Sequence, residues 1–356
     1  MKKMLIAGAL GTVGRSVVEH FDTLPDWQIV GISRRRPDFA TRADWIAVDL
    51  LDRRDCEAKL GGLHDISHIG YTAVWEKPDV TRGWAEREHV EANLAMLRNA
   101  VEVVETASPG LRHITLMQGT KAYGGHLGPF RMPARETDPR YMPPNFYYDQ
   151  MDWLAGRQRG KDWAWTIFRP QLVCGVAVGS PLNIISAIGV YAAISRESGI
   201  PLRFPGGMPR VGEATDARLI ARGMAWAAAS PNAANQIFNI ANGDVYLWEN
   251  VWPRVAALFG MAMAPPHPFS LARVMPENKP VWEAIVRKYA LQPYSYEQMV
   301  PSWQFADFLF GHGSRPNPHH MSTIKLRQAG FHDCIDTELM FTELLAILQQ
   351  RRILPS

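Results

Sequence analysis

The chain has 356 residues, 47% of them hydrophobic, and a formal net charge of +3 from 38 basic and 35 acidic side chains. That is enough apolar sequence for one large or two ordinary packed domains, and too even a charge for broad attraction to nucleic acid or a membrane surface. Three cysteines, Cys56, Cys174 and Cys334, match no metal-ligand spacing, and the scattered histidines add none, so no metal is expected and a reducing cytoplasm is.

The opening residues, Met1-Lys2-Lys3 before an apolar run from Met4 to Val13, imitate a secretory signal. Glycines at fixed spacing and Arg15 just after them argue against it. No apolar run approaches the roughly 20 residues that span a bilayer, so no membrane partner is expected.

Met4-Leu5-Ile6-Ala7 reads as a buried parallel strand, followed by Gly8-x-x-Gly11-x-x-Gly14 and a helix pattern through Phe21. In such a turn the first glycine permits a tight bend, the second lets backbone approach a pyrophosphate, and the third packs helix on strand. Leu10, Thr12 and Val13 belong to the same cofactor-binding turn. The next strand, Gln28 to Ile32, ends at Ser33-Arg34-Arg35-Arg36. An acid there would suit the ribose hydroxyls of NAD; a hydroxyl and guanidiniums suit a 2′-phosphate, so NADPH is the expected cofactor, held by Ser33, Arg34 and Arg35.

Trp45 to Val48 leads as a third strand to Asp49 and Leu50, where Asp49 is placed to accept from the adenine amino group. A fourth strand from His68 carries Tyr71, Thr72 and Ala73 beneath the pyrophosphate and ribose. His89 to Val104 has helical spacing of Leu94, Leu97, Val101 and Val104. Leu111 to Met117 delivers Gln118, Gly119 and Lys121 at a strand end, where a doubly wound sheet gathers its ligands. The Gly- and Pro-rich segment 125–144 reads as an active-site loop, Asn145-Phe146-Tyr147-Tyr148 starts the next helix, and Trp163 to Pro170 is a sixth strand. Pro170, Leu172 and Val173 follow as further cofactor contacts.

A tyrosine near a lysine holds a phenol ready to donate a proton or a strong hydrogen bond, because the ammonium stabilises phenolate. Short-chain dehydrogenases usually place the pair on one helix as Tyr-x-x-x-Lys. None of the ten tyrosines here has a lysine four residues later. After Tyr148 that position is Asp152.

The glycine triplet, Ser33-Arg34-Arg35-Arg36-Pro37, Asp49-Leu50-Leu51-Asp52, Gln118-Gly119-Thr120-Lys121-Ala122-Tyr123, Asn145-Phe146-Tyr147-Tyr148 and Phe168-Arg169-Pro170 together resemble the progesterone 5β-reductase and iridoid synthase-like enzymes. These form an atypical branch of the extended short-chain dehydrogenases. The similarity continues through Pro181-Leu182-Asn183, Phe204-Pro205-Gly206-Gly207 and Phe305-Ala306-Asp307, so it covers nearly the whole chain. The resemblance implies NADPH-dependent reduction of the C=C bond of a small apolar enone, with Lys121 and the second tyrosine of the pair, Tyr148, as catalytic residues. Two departures are Ala73-Val74-Trp75, where the family usually has Thr-Trp, and Met151-Asp152, where it usually has Glu-Asp.

Beyond Gly175 the pattern changes. Leu182 to Ile194 is apolar almost all round, Asp216 to Ala229 is amphipathic, and Gln236 to Ala241 returns as a strand. The aromatic residues from Trp248 to Phe310 read singly as core and together as a substrate lobe with an apolar pocket. The expected fold is α/β, a Rossmann-type doubly wound parallel sheet with an interleaved, mostly helical C-terminal lobe. Residues 1–175 with 210–242 form the NADP-binding domain, and 176–209 with 243–356 the substrate-binding lobe. Two rival functions remain at this stage: a carbonyl reductase or sugar-nucleotide epimerase, and a non-catalytic NADPH sensor. A homodimer is the expected assembly on symmetry grounds.

Overall fold

The short apolar runs become strands of one parallel sheet in the computed structural model, which describes residues 1–77, 84, 86–207, 211–312 and 319–356. In chain order the elements are β1 (Lys2–Ala7), α1 (Thr12–Asp22), β2 (Trp27–Ser33), β3 (Asp44–Ala47), α2 (Arg53–Leu60), β4 (His68–Tyr71), α3 (Arg87–Ala107), β5 (His113–Met117), α4 (Phe146–Gln158) and β6 (Ala164–Pro170). There follow β7 (Val173–Cys174), α5 (Ile184–Glu197), β8 (Val211–Gly212), β9 (Thr215–Asp216), α6 (Ala217–Ala227) and β10 (Gln236–Ile240). The seven-stranded sheet runs β10-β6-β5-β4-β1-β2-β3, and every pairing in it is parallel. Chain order reverses at β1, beside β4, which puts the ligand crevice of such a fold at their carboxyl ends.

One face of the sheet is built from Leu5, Ala7, Val30, Ile32, Ile69 and Ile114, packed with Leu97, Val101 and Val104 of α3. Strand alternation turns Met4 and Ile6 to the other face, and α1 packs against α6. The sheet is longer than its apolar runs at one end. Lys2 and Lys3 pair with Trp27 and Gln28, because backbone pairing does not depend on the side chains being apolar. At other ends the hydrogen-bonding of polar groups sets the boundary. Leu111 is buried but turns onto the Ser108 carbonyl, so β5 starts at His113; Asn183 caps α5 by accepting from the Ile185 amide at 3.1 Å, so that helix starts two residues after Leu182.

Two units divide the described chain. The first comprises Met1–Gln171, Ala217–Ile240 and Met321–Asp333, the second Leu172–Asp216, Ala241–His320 and Cys334–Ser356. The expected boundary at 209–210 falls outside the described residues. The return of Met321–Asp333 to the first unit carries no apolar periodicity that would announce it. Buried Asn239 donates to the Ser322 carbonyl of this segment and to that of Ala134, both at 3.1 Å, and accepts from Tyr123 at 2.5 Å, and the segment's Phe331 is buried against Trp226. In the second unit α5 is buried along its whole length up to Ser195, and Trp252, Trp282, Phe259 and Phe341 are fully buried. Most of the aromatic segment is therefore core, and Phe308, 53% exposed, is the exception.

Gly14 shows how tightly α1 meets the turn before it. A Cβ there would lie 2.2 Å from the Gly8 carbonyl oxygen and 2.8 Å from the Ala9 Cα, both backbone atoms that cannot swing aside. Gly14→Ala is expected to lower stability by about 1–3 kcal/mol, read as a lower urea midpoint; an unchanged midpoint would mean that the turn yields freely.

Candidate functional site

The glycine turn closes at the crevice. Gly8 has φ +75°, and a Cβ on it would lie 2.7 Å from backbone atoms of Ala73, so only glycine lets β1 end against the end of β4. Thr72 completes that junction, donating from its amide and hydroxyl to the Ala7 carbonyl at 3.0 and 2.7 Å. Tyr71, Thr72 and Ala73 thus stand beside the turn. Gly11 is the N-cap of α1 with no side-chain cap and no acid in the first turn. The amides of Thr12 and Val13, unfilled by the helix, fit an anionic pyrophosphate.

At the end of β2, the Ser33 hydroxyl accepts from the Arg35 amide at 3.2 Å, and the Trp45 indole donates to the Arg35 carbonyl at 2.8 Å. The loop is folded back on β3 with Arg34, Arg35 and Arg36 exposed. Beneath it lies Arg15, a buried guanidinium bound to Glu19 and Asp38 at 3.2 and 3.0 Å and lying over Phe39. Asp49 is exposed and its carboxylate accepts from the Leu51 amide at 3.0 Å, while Leu50 is buried. Of the remaining expected cofactor residues, Pro170 ends β6, and Leu172 and Val173 begin the second unit, where Leu172 accepts from Thr215 and Val173 pairs with it.

The strand end after β5 carries the expected catalytic groups. Gln118 is buried and braces the site: its side chain donates to the Tyr147 carbonyl at 2.7 Å and accepts from Arg169 at 3.0 Å. Lys121 lies on a single 3₁₀ turn, Thr120–Tyr123. Asn145, the cap of α4, accepts from the Tyr147 amide and donates to the Lys121 carbonyl at 2.8 Å. One side chain therefore ties the helix bearing both tyrosines to the turn bearing the lysine.

The two tyrosines point to different places. The Tyr148 hydroxyl donates to the Ala122 carbonyl and accepts from the Tyr141 amide, both at 3.0 Å, inside the protein. The Tyr147 hydroxyl stands before Gly119, whose absent Cβ would lie 3.4 Å from it. Burial, and then the charge of Glu76, push the Tyr147 phenol above its usual range. Asp152, four residues after Tyr148, is gripped by Arg140 through two bonds of 2.8 and 2.5 Å, and Met151, four after Tyr147, brings its sulfur to 3.8 Å of the Arg169 guanidinium.

The Lys121 ammonium lies 3.4 Å from the centroid of the Trp84 ring and makes no ion pair among the described residues. Although some of its surface is exposed, burial lowers its pKa to about 8, against which Glu76 pulls upward. Trp84 packs in turn against Phe146 and Tyr147 at 4.6 and 5.1 Å.

The sequence of this site has relatives. A family model described as a PRISE-like Rossmann-fold domain matches residues 58–354. The chain belongs to that family. It is 36% identical to an (S)-8-oxocitronellyl enol synthase of Nepeta racemosa and to a 3-oxo-Delta(4,5)-steroid 5-beta-reductase of Arabidopsis thaliana, each over 86% of this chain and 82% of the relative. To an (S)-8-oxocitronellyl enol synthase of Camptotheca acuminata it is 33% identical over 99% of this chain and 93% of the relative. Among solved structures, the UDP-glucose 4-epimerase of Thermotoga maritima matches with a TM-score of 0.68 at 13% identity, covering 98% of this chain and 99% of that one. The enzyme of that name from Thermus thermophilus, crystallised with NAD, matches at 0.65 and 16%, over 97% and 98%. At those identities the likeness establishes the fold alone.

In this PRISE-like chain the site also holds residues that periodicity could not flag. Trp84, Glu76 and His89 come from the connection between β4 and α3 or from the first turn of α3, and Arg15 from α1; each is a polar or aromatic side chain whose role depends on what folds over it. The lowered lysine has a signed consequence. Its unfolded value is 10.5 and its folded value about 8, so between the two the unfolded chain binds more protons and stability rises with pH. Urea unfolding of wild type and Lys121→Met is expected to show wild type gaining on the variant as pH passes from 8 toward 10; a pH-independent difference would place Lys121 in water.

Proposed function

We propose that the protein is an NADPH-dependent reductase of the C=C bond of α,β-unsaturated carbonyl compounds, with Tyr147 as the phenol of its site. The printed activities of the relatives, a steroid 5-beta-reductase and enol synthases, support the reaction class. The observation that carries the residue assignment is the contrast between the two hydroxyls: Tyr148 is spent on Ala122 and Tyr141, whereas the Tyr147 hydroxyl lies against Gly119 and makes no hydrogen bond among the described residues. Tyr148 was the tyrosine expected from the family resemblance; the proposal moves the role to its neighbour.

The turn at Gly8–Gly14 and the arginines after β2 would hold the dinucleotide, the guanidiniums suiting a 2′-phosphate. The reduced nicotinamide, when bound, supplies a hydride to the substrate's β-carbon. Tyr147 then serves the carbonyl oxygen, donating a hydrogen bond or its proton as negative charge collects there. A phenol is protonated at neutral pH with its ordinary value of about 10, and burial raises that of Tyr147 further. Lys121, on the turn that Asn145 ties to α4, supplies the cationic field that makes that charge cheaper to develop.

A carbonyl reductase or epimerase of the Tyr-x-x-x-Lys type gains nothing from the structure, since four residues after Tyr147 stands Met151, its sulfur 3.8 Å from the Arg169 guanidinium, and four after Tyr148 stands Asp152, bound to Arg140. A non-catalytic NADPH sensor would have no use for the unbonded phenol beside Gly119. The three cysteines are unpaired, which suits a cytoplasmic setting, and a homodimer remains part of the proposal on the frequency of two-fold assemblies.

With NADPH and a simple cyclic enone, Tyr147→Phe is expected to lower kcat by about 10²–10³-fold, the usual worth of one preorganised donor. Tyr148→Phe should keep kcat within a few-fold while lowering the melting temperature, because it strands the Ala122 carbonyl and the Tyr141 amide; the reverse ranking in kcat would return the role to Tyr148. Arg34→Ala and Arg35→Ala together should raise the KM for NADPH about tenfold or more through loss of charge-assisted bonds, with little change for NADH. An equal rise for both cofactors would remove the arginines from 2′-phosphate recognition.

A further inference from the structure

Glu76 stands at the centre of a group of which the reductase reading uses only Lys121. It follows β4, is largely buried, and accepts from the Trp84 indole Nε1–H at 3.2 Å. His89 of α3, wholly buried, brings its Nε2 to 3.4 Å of the same carboxylate. The other face of the arrangement is Lys121, whose ammonium rests on the Trp84 ring. A lysine taken from water needs either a counter-charge or a polarisable surface. Here one carboxylate provides the first and orients the second.

We propose that Glu76 is a positioning residue: through Trp84 it holds the indole face against Lys121, and its carboxylate supplies the negative charge that keeps this lysine an ammonium. Burial alone would favour the neutral amine, which could not stabilise charge on a phenol or a carbonyl oxygen. The other titratable groups around the lysine are His126, itself lowered by burial and by Lys121, and Tyr147, which also feels Arg169. Lys77 is turned away onto Glu86 and Glu88. Among the described residues Glu76 is therefore the one acid acting on Lys121.

The catalytic consequence rests on the reductase reading; the ionisation does not. Titration of the full-length protein with lysine labelled at 13Cε, followed by NMR without substrate and with Lys121 assigned through Lys121→Arg, reads it directly. Glu76→Gln leaves an acceptor for Trp84 and removes only the charge, so the titration of Lys121 is expected to fall by about one pH unit. Glu76→Asp should restore part of it, and Trp84→Phe, which loses the indole donor but keeps a ring, should also lower it. The alkaline limb of kcat for a cyclic enone should move the same way in Glu76→Gln. An unchanged Lys121 titration in that variant overturns the proposal even if it unfolds more easily. Absence of enone turnover in wild type would instead count against the reductase reading and leave the titration to judge Glu76.

Discussion

A lysine ammonium held against an indole at the end of a parallel strand is the constraint around which this site is arranged. Its pKa, lowered to about 8, is the cost of taking a cation out of water, and the surrounding residues are chosen in ways that limit or use that cost. Trp84 offers a π face, and Asn145 fixes the backbone of the turn to the start of α4. Gly119 keeps the adjoining space free of a side chain. On the proposed assignment no helical lysine is needed: the turn after β5 carries the charge, and the α4 positions four residues after the two tyrosines are Met151 and Asp152, the latter bound to Arg140.

The scaffold exists to bring that strand end beside the glycine turn. A reversal of chain order at β1 places the carboxyl ends of β1 and β4 together, and Gly8 allows them to meet with backbone touching backbone. Gln118 then ties the start of α4 to β6 through Arg169. None of these braces requires large apolar area. Each replaces a backbone or side-chain partner that would otherwise be buried unsatisfied.

Much of this was legible in the sequence because it rests on short-range rules. Apolar runs of strand length alternating with helical spacing imply the parallel sheet, and a glycine triplet between the first strand and helix implies the nucleotide turn. Lys121 could be found because it follows a strand directly. Tyr147 could not be separated from Tyr148 by adjacency alone: consecutive residues at a helix start point about 100° apart, and only the positions of Ala122 and Tyr141 decide which hydroxyl is consumed. Glu76 and Trp84 lie in a connection without periodicity, where contacts arise from the fold as a whole. The return of Met321–Asp333 was hidden for the same reason, since Asn239 reaches it through the Ser322 carbonyl, a group that any residue possesses.

The central claim is that reduction occurs at the C=C bond, with the carbonyl oxygen held by the phenol before Gly119. Incubation of the protein with a cyclic enone and NADPH carrying deuterium at nicotinamide C4, followed by NMR of the product, tests it most directly. The account predicts a saturated ketone with deuterium on the former β-carbon. An allylic alcohol with deuterium on the carbinol carbon would contradict it.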